Sequence, residues 1–152
     1  MSIDQKAIVH LPGEAESVSV FGAEVAFLAT GEQTGGEDAV IMFATSPGYI
    51  GPELHLHPHT AETIYILEGE FTMWSGDNKF TAPAGTFVRV PRNTPHTFAN
   101  PTDSTANQLV FLAPSGREKL FTEGAEIENI HGSPLPPEKV KELYAKYDTE
   151  PV

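Results

Sequence analysis

Three of the six histidines in this 152-residue chain stand at alternate positions of one short stretch: His55, His57 and His59. Side chains of an extended strand alternate between its two faces. His55 and His57 therefore project together, with Leu54 and Leu56 on the opposite side. Two imidazoles on one strand face can bind a single divalent metal. Pro58 predicts a turn that brings Glu62 back beside His57 on a returning strand. Spacing alone also permits His57 and His59 as the ligand pair. Pro58 between them and the short gap to Glu62 make that arrangement cramped, so His59 is read as a rim residue or one standing behind the ligands. His96 arrives from elsewhere, after the rigid turn Pro91-Arg-Asn-Thr-Pro95. Three imidazoles and one carboxylate suit Fe, Mn, Ni, Co, Cu or Zn, and are too nitrogen-rich for Ca or Mg.

These residues must be held by strands. Thirteen glycines and thirteen prolines punctuate short apolar runs throughout the chain, a pattern of all-β domains. Runs at residues 18–30, 39–45, 53–57, 63–67, 70–74, 79–81, 86–90, 96–99 and 107–113 are expected strands. Turn chemistry such as Ser75-Gly-Asp-Asn78 separates them. With Glu62 inward, Ile64 and Ile66 share its face. Met73 or Phe71, Phe98, and Leu109 or Phe111 are expected to complete an apolar substrate pocket. The segment 31–38 is polar and glycine-rich, and is expected to form a hairpin or mobile flap.

The flanks read differently. Residues 1–17 form an N-terminal arm, 18–115 the β-domain, and 116–152 a C-terminal extension. In that extension Glu118 to Phe121 suggests one helical turn, and 136–147 a helix. Proline and glutamate at the start of that helix and lysine near its end suit the helix dipole. Val140, Leu143, Tyr144 and Tyr147 line one face, expected to pack on the barrel. Arg89, Arg92, His10 and His131 read as surface groups.

The net charge of −12 repels phosphate backbones, so nucleic acid is an unfavourable partner. The absence of cysteine excludes disulfides, thiolate metal sites and cysteine nucleophiles. The first residues lack the apolar core of a signal peptide. No run approaches the roughly 20 apolar residues of a membrane span. A soluble cytoplasmic protein without a membrane partner is expected.

The two histidine-bearing stretches resemble the motifs of the cupin superfamily. The first is written G-x5-H-x-H-x3,4-E-x6-G. His55, His57, Glu62 and Gly69 match it, while Gly48 and Gly51 stand near the leading glycine without its spacing. The second is written G-x5-P-x-G-x2-H-x3-N. Gly85, Pro91, His96 and Asn100 match it, and Asn93 replaces the internal glycine. Asparagine tolerates left-handed backbone. The resemblance covers residues 18–113. It implies a jelly-roll β-barrel, often a homodimer, with one divalent transition metal held by His55, His57, Glu62 and His96. The tail segment Leu143-Tyr-Ala-Lys-Tyr-Asp-Thr-Glu-Pro151 also resembles the ends of quercetin dioxygenase-like single cupins.

The apolar pocket suits a small aromatic or enol-type substrate of flavonol kind and a dioxygenase. Glu62 would then be both ligand and proton acceptor. The same residues would serve a non-redox isomerase or cyclase. A barrel that only captures a small molecule is the third reading.

Overall fold

The computed structural model describes residues 6–152, so the first five residues of the expected arm lie outside the described part. Strands β1 (Ser17–Val20), β2 (Ala23–Ala29), β3 (Ala39–Thr45), β4 (His55–Leu56) and β5 (Ala61–Glu68) come first. They are followed by β6 (Glu70–Ser75), β7 (Asn78–Pro83), β8 (Phe87–Val90), β9 (His96–Ala99) and β10 (Ala106–Ala113). Helix α1 (Gly31–Thr34) interrupts β2 and β3. Helices α2 (Lys119–His131) and α3 (Pro137–Lys146) precede the short strand β11 (Glu150–Pro151).

Two antiparallel sheets form a jelly roll. One has the order β1-β2-β3-β10-β5-β8, the other β11-β4-β9-β6-β7. Period-2 burial defines what lies between them. Ile41 and Phe43 of β3, Ile64 and Ile66 of β5, and Val110 and Leu112 of β10 are buried. Phe71 and Met73 of β6 are buried as well. Burying each such side chain contributes about 1.5–3 kcal/mol.

The register corrects one expectation. Gln108, Val110 and Leu112 pair with Ile66, Ile64 and Glu62, whereas Leu109 and Phe111 pair with Tyr65 and Thr63. Directly paired residues share a sheet face. Leu109 and Phe111 therefore lie on the outer face, and Phe111 is 40% exposed. Neither lines the interior as expected.

Two further expectations change. The 31–38 segment begins as the single helical turn α1. The Thr30 backbone N–H donates to the Gln33 side chain at 3.0 Å, half of a capping box. After β10 the expected single turn is the thirteen-residue helix α2. Gly124 lets this helix approach β1 closely, since a Cβ there would sit 2.7 Å from the Phe21 ring. No helix among the described residues is long and apolar enough to cross a membrane.

Two turns set the site. Asn93 has φ 60°, the left-handed conformation, and its N–H donates to the His57 carbonyl at 2.9 Å. Gly51 has φ 77°, and a Cβ there would lie 1.8 Å from the Phe98 carbonyl oxygen. Only glycine permits that approach ahead of β4.

Candidate metal centre

His55 and His96 are direct cross-strand partners of β4 and β9. His57 follows β4, and Glu62 rises from β5 in the facing sheet. The three imidazole rings lie 4.6–5.0 Å apart between centroids. One nitrogen from each falls within 4.8 Å of the others. All four side chains are buried. Glu62 Oε2 stands 2.8 Å from His96 Nε2 and 3.5 Å from His57 Nε2.

Each Nδ1 faces a backbone carbonyl: His55 that of Glu53 at 2.7 Å, His57 that of Asp148 at 2.9 Å, His96 that of Thr94 at 2.8 Å. A carbonyl only accepts, so each Nδ1 carries its proton and donates. Nε2 of His55 and His57 is then left with a lone pair. Arg117 Nε lies 3.1 Å from both His57 Nδ1 and Thr149 Oγ1. With Nδ1 protonated, Arg117 Nε donates to Thr149. The Thr149 hydroxyl donates onward to the Tyr147 carbonyl at 2.9 Å.

Nε2 of His57 is sealed and has no hydrogen-bond partner. An orphaned buried acceptor costs about 1–3 kcal/mol, which a cation at that point would remove. His96 donates from both nitrogens, through Nδ1 to Thr94 and through Nε2 to Glu62. A proton thus occupies the place a metal would take. Burial opposes charge on His96, but the Glu62 carboxylate outweighs it and holds its pKa above the usual value. Burial would raise Glu62, yet the hydrogen bond from His96 and the close approach of His57 hold it well below the carboxylate range. Burial, with the charges of His96 and Arg117, pushes His55 down to about 3. Two neutral imidazoles, one exchangeable proton and one carboxylate fit a divalent transition metal.

His59 stands apart. Its ring is 84% exposed and meets Asp148 at 2.9 Å. The Asp148 carboxylate also accepts from the His59 N–H and the Thr60 hydroxyl. Of the expected pocket, Ile64, Ile66 and Met73 are buried in the hydrophobic core, and Phe98 packs on Phe43 and Phe71. The sequence reading missed Arg117, Tyr144, Asp148 and Thr149. They belong to the C-terminal extension, which straps onto the ligand strand where Glu150 pairs with Leu56 and Pro151 with His55. A surface groove of about 980 Å³ between β1, α2 and α3 shares no residue with this cluster.

A protein-family model described as "Cupin domain" matches residues 41–112, which hold His55, His57, Glu62 and His96. The chain carries a cupin domain. A quercetin 2,3-dioxygenase of Bacillus subtilis (strain 168) is 30% identical over 107 residues, covering 68% of this chain and 31% of that protein. The cupin chain thus spans about a third of that relative's length. An RmlC-like cupin from Shewanella frigidimarina superposes with a TM-score of 0.65 at 17% identity, covering 77% of this chain and 99% of that one. A polyketide cyclase from Streptomyces resistomycificus gives 0.61 at 22% identity, covering 72% and 80%. Both likenesses speak for the cupin fold alone.

Proposed function

We propose that the protein is a metal-dependent dioxygenase acting on a small aromatic or enol-type, flavonol-like substrate. The observation that carries this reading is the convergence of three buried imidazoles and one carboxylate. His55, His57 and His96 would hold a divalent transition metal, with Glu62 as the fourth group. When bound, such an ion supplies Lewis acidity and, if redox-active, electrons for dioxygen chemistry. The Glu62 carboxylate is the base in place to take the proton of a substrate hydroxyl. In this reading Ile64, Ile66 and Met73 form an aliphatic floor that excludes water and receives an aromatic body. The 30% identical relative named quercetin 2,3-dioxygenase supports the substrate class.

Oxygen consumption by metal-reconstituted protein, followed with an oxygen electrode across flavonols and diketones, tests the reading. Turnover should stop under anaerobic conditions. Turnover that continues without oxygen would replace the reading with a non-redox isomerase or cyclase using the same residues. A tightly held ligand recovered unchanged would replace it with a binding protein. The reading includes a homodimer, for which light scattering should give twice the chain mass of 16.4 kDa.

A further inference from the structure

Arg117 enters from the link between β10 and α2 and is only 8% exposed. A guanidinium stays charged in proteins, so a full cation is buried here. Its Nε lies 3.1 Å from His57 Nδ1 and 3.1 Å from Thr149 Oγ1. Neither Nη makes a hydrogen bond among the described residues, and no carboxylate there pairs with the guanidinium. Arg117 Cζ lies 5.9 Å from the Phe121 ring. Burying an unpaired cation is costly, and an apolar side chain of similar length would fill the space without that cost.

The cation stands on the Nδ1 side of His57, whereas Glu62 approaches the Nε2 side at 3.5 Å. One imidazole ring therefore separates a fixed positive charge from the point where a metal would sit. Two carboxylates lie on the elements around it. That of Asp148 is 20% exposed and accepts from the His59 N–H and the Thr60 hydroxyl, so solvent screens it. That of Glu62 is 11% exposed and faces His57 and His96. With the imidazoles neutral, as metal ligands must be, the formal charges of Glu62 and Arg117 cancel. A divalent ion seated among these groups keeps its full double charge.

We propose that Arg117 tunes the metal centre through His57: its charge weakens the hold on the metal cation and leaves the bound ion a stronger acceptor for an anionic ligand. This rests on the metal centre of the proposed function and holds whether or not oxygen is used. Arg117 touches neither the metal position nor a ligand on it, so it is a positioning residue. Its effect is Coulombic. Like charges a few ångströms apart in a water-poor interior repel far more than in water, and the charge of the ion itself enters the sum. The Arg117 cation repels an arriving metal ion and adds to the pull of the bound ion on an incoming anion. A side chain that only braced the C-terminal strap would do neither.

The test uses cobalt(II), whose visible bands report its coordination, with azide as the anionic probe. Wild type should bind cobalt, and His57→Ala should lose the bands. Arg117→Met keeps the length of the side chain and removes its charge. It should bind cobalt at least about tenfold more tightly in competition with a chelator, and its cobalt form should bind azide at least about tenfold more weakly. Arg117→Gln, which retains a donor for Thr149, should shift both constants in the same directions. Arg117→Lys keeps the charge without the planar fork and should stay near wild type on both. Melting temperatures identify the folded variants. A brace that loosens on substitution would lower cobalt affinity instead. That result, or unchanged constants in Arg117→Met and Arg117→Gln, would overturn the inference while leaving the metal centre standing. Arg117→Lys behaving like Arg117→Met would overturn it too, because the charge would not be the cause. Cobalt bands that survive in His57→Ala would overturn the metal centre on which the proposed function rests.

Discussion

Nδ1 of His57 donates to the carbonyl oxygen of Asp148, 2.9 Å away and 91 residues further along the chain. The equivalent acceptors for His55 and His96 lie only two residues away on their own segments. One ligand of three thus takes its tautomer from the C-terminal extension. Deleting residues 148–152 leaves Arg117 Nε beside His57 Nδ1 without the Asp148 carbonyl or the Thr149 hydroxyl. Nδ1 then becomes an acceptor and the proton moves to Nε2, the wrong side for a metal. Metal affinity should fall by about 10–100-fold, measured by competition with a chromophoric chelator. Unchanged affinity in the folded truncation would refute this coupling.

Replacing Thr149 by valine isolates the same effect with little change in shape. The 15N chemical shifts of the His57 ring should move toward the Nε2–H tautomer in metal-free protein. His55 and His96 should keep their tautomers, since their acceptors are local.

His57→Ala removes the orphaned Nε2 from the cluster. Elemental analysis of purified protein should show metal content well below stoichiometric. Full metal retention would rule out the four-residue assignment.

Metal binding should release protons. His96 Nε2 donates to Glu62 at 2.8 Å, and Glu62 holds the His96 pKa above its usual value against the opposing effect of burial, so metal binding near neutral pH must displace the proton on Nε2. His55 is neutral there, with its pKa near 3. The sign follows: affinity falls as pH drops, because protons compete for His96, and levels off above the raised pKa. Calorimetry in buffers of different ionisation enthalpy should count up to about one proton released per metal at pH 7. A count of zero would contradict the His96–Glu62 proton bridge.

The two glycines ahead of β4 should differ in cost. Gly48→Ala meets nothing within 4 Å and carries only its positive φ, a penalty of about 1–2 kcal/mol. Gly51→Ala adds a collision with the Phe98 carbonyl and should cost more than about 2 kcal/mol, read from denaturant midpoints. Equal losses would mean that the close approach of these segments is unimportant to stability.

The elements around the cluster were legible where short-range chemistry decides them. Alternation fixes His55 and His57 on one face, Pro58 turns the chain toward Glu62, and Asn93 supplies a left-handed turn. Leu109 and Phe111 were misplaced because Leu109-Val-Phe-Leu112 is apolar at every position. Alternation carries no signal there, and only pairing with β5 tells inside from outside. The length of α2 was hidden because Gly124 and the polar Thr122-Glu123 break its pattern, although the glycine is what lets the helix sit close on β1. Arg117 and Tyr144 follow no spacing rule relative to His55. Their approach depends on how α2 and α3 fold back.

The pairing of β11 with β4 bears on the order of assembly. The strands carrying His55, Glu62 and His96 are synthesised well before Asp148 and Thr149, so the barrel can close while His57 still lacks its acceptor. Long-range contacts form late in folding when much chain must be ordered first. A nascent chain would therefore hold its histidines in place yet bind metal poorly, and would become a good ligand only when the strap docks.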